Sequence, residues 1–560
     1  MRDIYRPPLL GSLAVLSVWI LLHAGRMAWQ PLVLDEIDFM LAAQDWPAHA
    51  SAVPHPPGFV HLLRLLFAVF GESVAVARLP GLVSALATLW LLPLFVRVLF
   101  PDHPRAPALA TWAVWFYGLA SLTTQNAMLV DIDNTVLVPV VLGLFALWFA
   151  CRHRSGWRPV IMLGAALCLT LWLKLPPAAL FVLSVALAAR WDRDARALRV
   201  AVLGGLAGLV LFVATFALHA RLTGFPLGAM RYPFHRMSQL GDLRTVVTRA
   251  PQTAGVFVLW LTVPGAILAG VASLKELRER ASAPAARLRA LAVFVVLSLL
   301  FYTLVLGPPY GYPKYQAVLM PLLAVMVAAL LSPADVERSR PVRAVLVGAG
   351  FLLILAQVAW GDPLWGIYRL TLETGAGDLG DRLAGSLRAS AGIVWLPLLV
   401  TLLLSLLLLV GARLKARRAV LVGLAVTALA QSGGTVVAQA GARYSTRYHY
   451  GTDLLGLQRA CRTLGERLRP GSFIIAPKDI LFETGFPGQC VTDVIWEGRS
   501  PALLLATLAG RRVDAIVCTR REENRGRGVL DDERVRSVLA RDFTRDQLGE
   551  YALWWRNSVP

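Results

Sequence analysis

Charge is scarce in this chain of 560 residues: Asp, Glu, Lys and Arg together make up 16%, where soluble domains carry about a quarter. With 57% hydrophobic residues and a mean hydropathy of +0.60, that scarcity excludes an ordinary soluble chain. Acids are scarcer than bases, 35 against 55, leaving a formal net charge of +20. The basic excess does not point to nucleic acid, because it sits in short loops between apolar runs rather than on one face. A clean small-x-small cleavage site is absent after the first apolar run, although Arg2 and Arg6 precede it, so that run is expected to stay as an anchor. Cysteine is rare too, five in all.

What is present is a polytopic pattern. Runs able to cross about 30 Å of hydrocarbon lie near residues 9–29, 74–99, 106–122, 134–151, 157–173, 176–190, 199–219, 253–273, 290–306, 314–332, 342–360, 392–412 and 419–438. They predict about thirteen transmembrane helices over residues 1–440. Alternate connections gather the Lys and Arg residues: 97–105, "CRHRSGWR", "RWDRDARALR", "KELRERASAPAARLR", "ERSRPVR" and "RLKARR". The positive-inside rule then puts the N-terminus in the cytoplasm. Loops 30–73, 220–252 and 361–391 fall outside, and an odd number of spans puts residues 441–560 outside as well. No Lys or Arg occurs in residues 30–57.

Residues 441–560 follow another grammar, with charges throughout and short apolar runs such as "SFIIAP" and "VDAIVC" alternating with helical stretches such as "LLGLQRACRTLGERL". This predicts a small extracytoplasmic α/β domain. It has no glycine-rich phosphate loop, which argues against a nucleotide site. Cys151 and Cys168 lie in or beside spans, while Cys461, Cys490 and Cys518 fall in the outer domain. An oxidising compartment permits a disulfide, and Cys461 with Cys490 is the expected pair, three free thiols being the alternative.

Acids near a bilayer are costly unless they pair, meet water or act. Asp35 and Glu36 in "LVLDEIDFMLAAQDW" and Asp131 and Asp133 in "QNAMLVDIDNTVL" form two outer acidic corners. Solvated loop caps are the competing reading for these four, and the preferred one for Asp45 and Glu72. The outer cations are Lys174 in "LWLKLPPAALF", Arg231, His235 and Arg236 in "AMRYPFHRMSQLG", and Lys314 in "GPPYGYPKYQAVLMP". Interfacial snorkelling is their alternative and the preferred account of Arg78 and Arg369. Lys174 and Lys314 stand alone beside prolines at helix ends, where a fixed cation suits a phosphate. Carboxylates on one side of a cavity and cations on the other fit a substrate carrying a lipid phosphate.

The order of these features resembles the GT-C membrane glycosyltransferases: a first span, an Asp-Glu loop, "HPPGFVHLLRLLFAVFGESVAVARLPGLVSAL", an acidic corner after the third span, an isolated Lys before the sixth and a Lys-Tyr turn before a late one. The likeness is nearest to protein O-mannosyltransferases and to the aminoarabinose transferases of lipid A, and is best defined over residues 5–330. It implies a polyprenyl-phosphate-linked monosaccharide as donor, transfer at the outer face, and Asp35 as, or beside, the catalytic base. Aminoarabinose transferases usually carry Lys before the double proline; here His55 stands in "VPHPPGF", the form of the wider mannosyltransferase-like group. The "DID" at 131–133 is similar to the metal-binding acidic motifs of oligosaccharyltransferases. Two carboxylates are too few for a hard cation alone, so a divalent cation is admitted and not required.

The chemistry follows from the residue types as well. Transfer to a hydroxyl needs a base for the acceptor's proton, a task for Asp35 with Glu36 beside it. A phosphate leaving group needs charge stabilisation rather than protonation, a task for Lys174, His235, Arg236 and Lys314, with His55 as a further phosphate contact. Asp131, Asp133 and Tyr315 would line the substrate pocket. Direct displacement inverts the anomeric carbon, so a β-linked phosphate gives an α-linked product. The acceptor is a glycan, lipid or protein. A lipid-linked glycan flippase or transporter without transfer chemistry is the alternative, and a structural partner subunit a third reading. The Arg- and Ala-rich composition suggests a high-GC bacterium, hence the inner membrane with the site facing the periplasm.

Overall fold

The computed structural model describes residues 7–27, 31–32, 35–49, 55–101, 103–133, 135–225, 261–278, 285–304, 313–331, 417–440, 444–445, 452–496 and 498–557. The chain divides into two compact units, one of residues 1–28, 38–363 and 395–440, the other of residues 29–37, 364–394 and 441–560. The spans expected near 342–360 and 392–412, together with Arg231, His235, Arg236 and Arg369, lie outside the described residues.

The first unit is helical. Its elements run α1 (Pro7–Met27), α2 (Asp35–Gln44), whose first three residues belong to the second unit, α3 (Trp46–His49), α4 (Gly58–Phe70), α5 (Val74–Leu99), α6 (Ala106–Gly118), α7 (Ser121–Asn126), α8 (Leu137–Cys151), α9 (Arg158–Leu173), α10 (Leu175–Trp191) and α11 (Ala195–Thr223). After these come α12 (Val263–Arg278), α13 (Ala285–Leu304), a 3₁₀ turn at Pro313–Leu319, α14 (Met320–Leu330) and α15 (Arg417–Ala440). Residues 7–25, α5 and α11 are each long and apolar enough to cross a membrane, and shorter apolar helices stand among them. Exposed leucines and valines such as Leu22, Val83, Val210 and Leu222 are what a lipid-facing surface requires.

Local chemistry sets the boundaries. Ser73 caps α5 by accepting from the Val76 amide at 3.2 Å, and Asp194 caps α11 by accepting from the Ala197 amide at 2.9 Å. Both satisfy amides that a helix start leaves unpaired. Gly224, at φ 67°, ends α11 in the left-handed conformation a helix C-terminus favours. Helix α4 is apolar on both sides: Phe59, Val60, Leu63 and Phe67 are buried, and Leu65, Val69 and Phe70 are exposed.

The second unit carries a five-stranded sheet of β3 (Ile474–Ala476), β4 (Gly488–Cys490), β5 (Ala515–Thr519), β6 (Phe543–Leu548) and β7 (Tyr551–Arg556), after a two-residue pair β1 (Tyr444–Ser445) and β2 (Thr452–Asp453). The order is β4-β3-β5-β7-β6, with β3 parallel to β4 and β5, and β7 antiparallel to β5 and β6. Alternation of side chains gives each face its own core. Ile475, Ile516, Cys518, Ala552 and Trp554 pack with Val491, Leu504 and Val535. On the other face, Ile474, Ala476, Val517, Leu553 and Trp555 pack with Leu457, Ala460 and Leu464 of the helix Leu454–Arg467. The two runs quoted from the sequence thus hold the parallel strands β3 and β5.

The expected Cys461 to Cys490 disulfide is not formed, and all five cysteines are free. Cys461 packs against the core beneath its helix, and burial pushes its thiol up to about 12, which leaves it protonated and unreactive. Cys490 Sγ instead lies 3.2 Å from the Thr492 hydroxyl. Spacing along the chain could not tell a thiol beside a core from one aimed at a partner.

Burial also pushes the Asp479 carboxyl, in the first turn of the helix Lys478–Thr484, up to about 6. The folded unit then binds more protons than the unfolded chain between an ordinary value near 3.8 and about 6, so its stability falls as pH rises through that window, by at most about 3 kcal/mol. Asp479→Asn is expected to remove this slope, measured as amide exchange of β3 in the purified protein at pH 4.5 and pH 7. An unchanged slope would place the titration elsewhere.

Candidate functional site

The two acidic corners have different local structures. Asp35 and Glu36 open α2, where unpaired amides and the helix dipole favour a negative charge. Asp35 is half-buried and Glu36 fully buried. Asp131 and Asp133 lie in the connection from α7 to α8, where the Asp133 amide donates to Asp131 Oδ1 at 3.0 Å and the Thr135 hydroxyl donates to the Asp131 carbonyl. This local turn aims both carboxylates inward, and both are almost wholly buried.

Each buried carboxylate meets one of the isolated lysines. Lys174 Nζ donates to both oxygens of Asp133, at 2.6 and 2.5 Å, and Lys314 Nζ donates to Asp131 Oδ2 at 2.9 Å. Lys174 is in extended conformation, at φ −161° and ψ 136°, as the one-residue break between α9 and α10. Pro176 and Pro177 can begin α10 but could not continue α9, so the break is written into "KLPP". Lys314 sits in the 3₁₀ turn Pro313–Leu319. Tyr315 lies between the ammonium groups, its ring centre 4.6 Å from Lys174 Nζ and 5.3 Å from Lys314 Nζ, contacts of cation–π type. Tyr302 of α13 stacks on Tyr315 at 4.8 Å and 3°.

Four residues singled out for two separate tasks are therefore one cluster. The sequence suggested lysines turned towards a phosphate; the structure pairs each with a carboxylate, and neither Lys174 nor Lys314 is more than 4% exposed. The pairing has a physical reason, because ammonium and carboxylate both lose water here and only a partner compensates. It also turns the two "DID" carboxylates, which could have met a divalent cation, onto lysines. Arg78 differs from expectation as well: it is 2% exposed, not a snorkelling anchor. Asp45 is exposed, as the sequence suggests.

The "HPPGF" segment is seated against the Lys174 break. A Cβ added at Gly58 would stand 2.5 Å from the Trp172 carbonyl oxygen, so glycine lets the start of α4 press on the end of α9. His55 is half-buried and Pro56 and Pro57 are buried beside it. Gly58→Ala is expected to force these helices apart at a cost of roughly 1–3 kcal/mol, read as a lower thermal midpoint of the purified protein; an unchanged midpoint would show that the contact yields freely.

The same unit holds a second cluster, with no counterpart among the residues the sequence singles out. His61 of α4 and His219 of α11 meet Nε2 to Nε2 at 2.8 Å, with Trp46 at 5.2 Å from His61 and Trp172 at 5.3 Å from His219. Two histidines separated by more than 150 residues leave no local signal. Among the described residues, no group of three or more His, Cys, Asp and Glu side chains is arranged to hold a metal ion.

Residues 54–217 match the family described as dolichyl-phosphate-mannose-protein mannosyltransferase. The match falls inside residues 5–330, where the resemblance to GT-C membrane glycosyltransferases is best defined in the sequence. Among solved structures, ArnT from Cupriavidus metallidurans bound to undecaprenyl phosphate is similar at 17% identity and a TM-score of 0.58, over 97% of this chain and 98% of that one. The apo state of ArnT gives 18% identity and a TM-score of 0.54, over 97% of each chain. The oligosaccharyltransferase of Archaeoglobus fulgidus is more distant, at 11% identity and a TM-score of 0.45, over 95% of this chain and 72% of that one. Against curated protein sequences the chain has no match.

Proposed function

We propose that this protein moves a monosaccharide from a polyprenyl-phosphate donor to an acceptor hydroxyl or phosphate at the outer face of a bacterial inner membrane, with inversion at the anomeric carbon. The observation that carries the reading is the fold, shared over nearly the whole chain with ArnT, a protein solved in complex with undecaprenyl phosphate. The mannosyltransferase family match over residues 54–217 supports it independently. In this reading Asp35, half-buried at the start of α2, takes the acceptor's proton, with Glu36 as its neighbouring carboxylate. His55, His235 and Arg236 contact the donor phosphate, and Lys174 and Lys314 join them by exchanging a carboxylate for a phosphate oxygen. Asp131, Asp133 and Tyr315 frame the pocket. A divalent cation is not required.

The basic alternate loops support a cytoplasmic N-terminus and a periplasmic residue 441–560 segment. The test is turnover: purified protein given a radiolabelled polyprenyl-phosphate sugar and an envelope extract should release free lipid phosphate. Movement of intact donor across a vesicle bilayer with no lipid phosphate released would favour a flippase.

A further inference from the structure

The second unit holds a groove of about 470 Å³ between the helices Arg520–Arg525, Arg527–Leu530 and Glu533–Asp542 and the strands β6 and β7. Its floor is apolar, made by Leu539, Phe543 and Trp554, all buried in the sheet's core. Three guanidinium groups stand on its rim: Arg527, Arg536 and Arg545, all exposed. Arg545 donates to Glu523 at 2.7 Å and lies over the Trp554 ring at 5.3 Å, and Arg527 donates to Asn524 at 3.0 Å. The Arg536 guanidinium has no partner among the described residues, although it shares the rim with two that do.

The rim is built rather than loose. Thr519 and Glu522 form a reciprocal capping box at the start of the helix Arg520–Arg525. Gly526, between this helix and the next, has no room for a side chain: a Cβ there would lie 2.4 Å from Ile495 Cγ2 and 2.9 Å from the Glu522 carbonyl oxygen. Arg527 and Asn524 are thus held on either side of a fixed corner.

We propose that this groove binds a saccharide bearing an oxyanion. An apolar floor accepts the C–H face of a sugar ring, and the volume suits one or two rings. The planar guanidinium fork of Arg536, which lines the same groove as Arg527, matches a carboxylate or phosphate group bidentately. The site goes beyond the transfer reading, since it lies in the unit of residues 441–560 and uses none of the residues assigned to the donor.

The experiment measures saturable binding to the full-length protein in phosphatidylcholine nanodiscs. Glucuronate, glucose 1-phosphate, glucose and inorganic phosphate are the probes. Both charged sugars are expected to bind, and either order of preference supports the site and identifies its oxyanion. Arg536→Gln and Arg527→Gln should each weaken them about tenfold or more, the usual worth of a charge-assisted contact. Arg459→Gln, which removes an exposed charge from the helix Leu454–Arg467, should change nothing. The proposal is overturned if glucose binds as well as glucuronate, if inorganic phosphate binds as well as glucose 1-phosphate, if Arg459→Gln weakens binding equally, or if no saturable binding survives outside the donor site. Failure here leaves donor turnover untouched, and a chain with no turnover could still bind these sugars.

Discussion

Lys174→Met is expected to destabilise the protein by about 3–5 kcal/mol, the cost of leaving the Asp133 carboxylate buried without its cation. Adding Asp133→Asn to the same chain should restore most of that loss, because the double variant buries no uncompensated charge. The measurement is the thermal midpoint of purified protein for both single variants and the double, read as a cycle. Additive losses would mean that the 2.5 Å contact contributes little. The same cycle separates two roles for Lys174. If the lysine only anchors the helix break, donor affinity returns with stability in the double variant. If it also holds the donor phosphate, stability returns and affinity stays low.

Asp35→Asn is expected to lower sugar transfer by roughly 10² to 10⁴ while donor binding survives, since the amide keeps size and hydrogen bonding but takes no proton near neutral pH. Asp45→Asn is the control: it removes the same charge at an exposed position just past the other end of α2 and should lose little. A shared loss would indicate that this segment acts only through its overall negative charge. Transfer by Asp35→Asn at near the parent rate would make Asp35 a helix-opening carboxylate and nothing more.

Much of the helical architecture was legible because long apolar runs have few alternatives. The run near 74–99 is α5, and those near 157–173 and 176–190 are α9 and α10, separated where "KLPP" forbids one continuous helix. The residue types of the candidate site were legible for a similar reason, as a buried ammonium or carboxylate stands out against leucine and valine. Their partners were not. Asp133 and Lys174 are 41 positions apart and Asp131 and Lys314 are 183, and no local pattern encodes which long-range charges meet. Arg78 and the Cys461 thiol failed in the same way: the residue type was informative, but its direction depends on packing that only the folded chain specifies. Gly58 was quoted within "HPPGF", yet its reason lies in the Trp172 carbonyl, more than a hundred residues away.

The four charges of Asp131, Asp133, Lys174 and Lys314 sum to zero. An energised membrane does about 2.3 kcal/mol of work on each elementary charge moved through 100 mV, and a rigid group with two charges of each sign takes almost none of it. A shift of the whole cluster across part of the bilayer therefore couples little to the membrane potential. The phosphodiester of the proposed donor, with one negative charge, would have no such cancellation. Replacing one lysine would remove that balance, leaving its carboxylate to stay charged or to take up a proton.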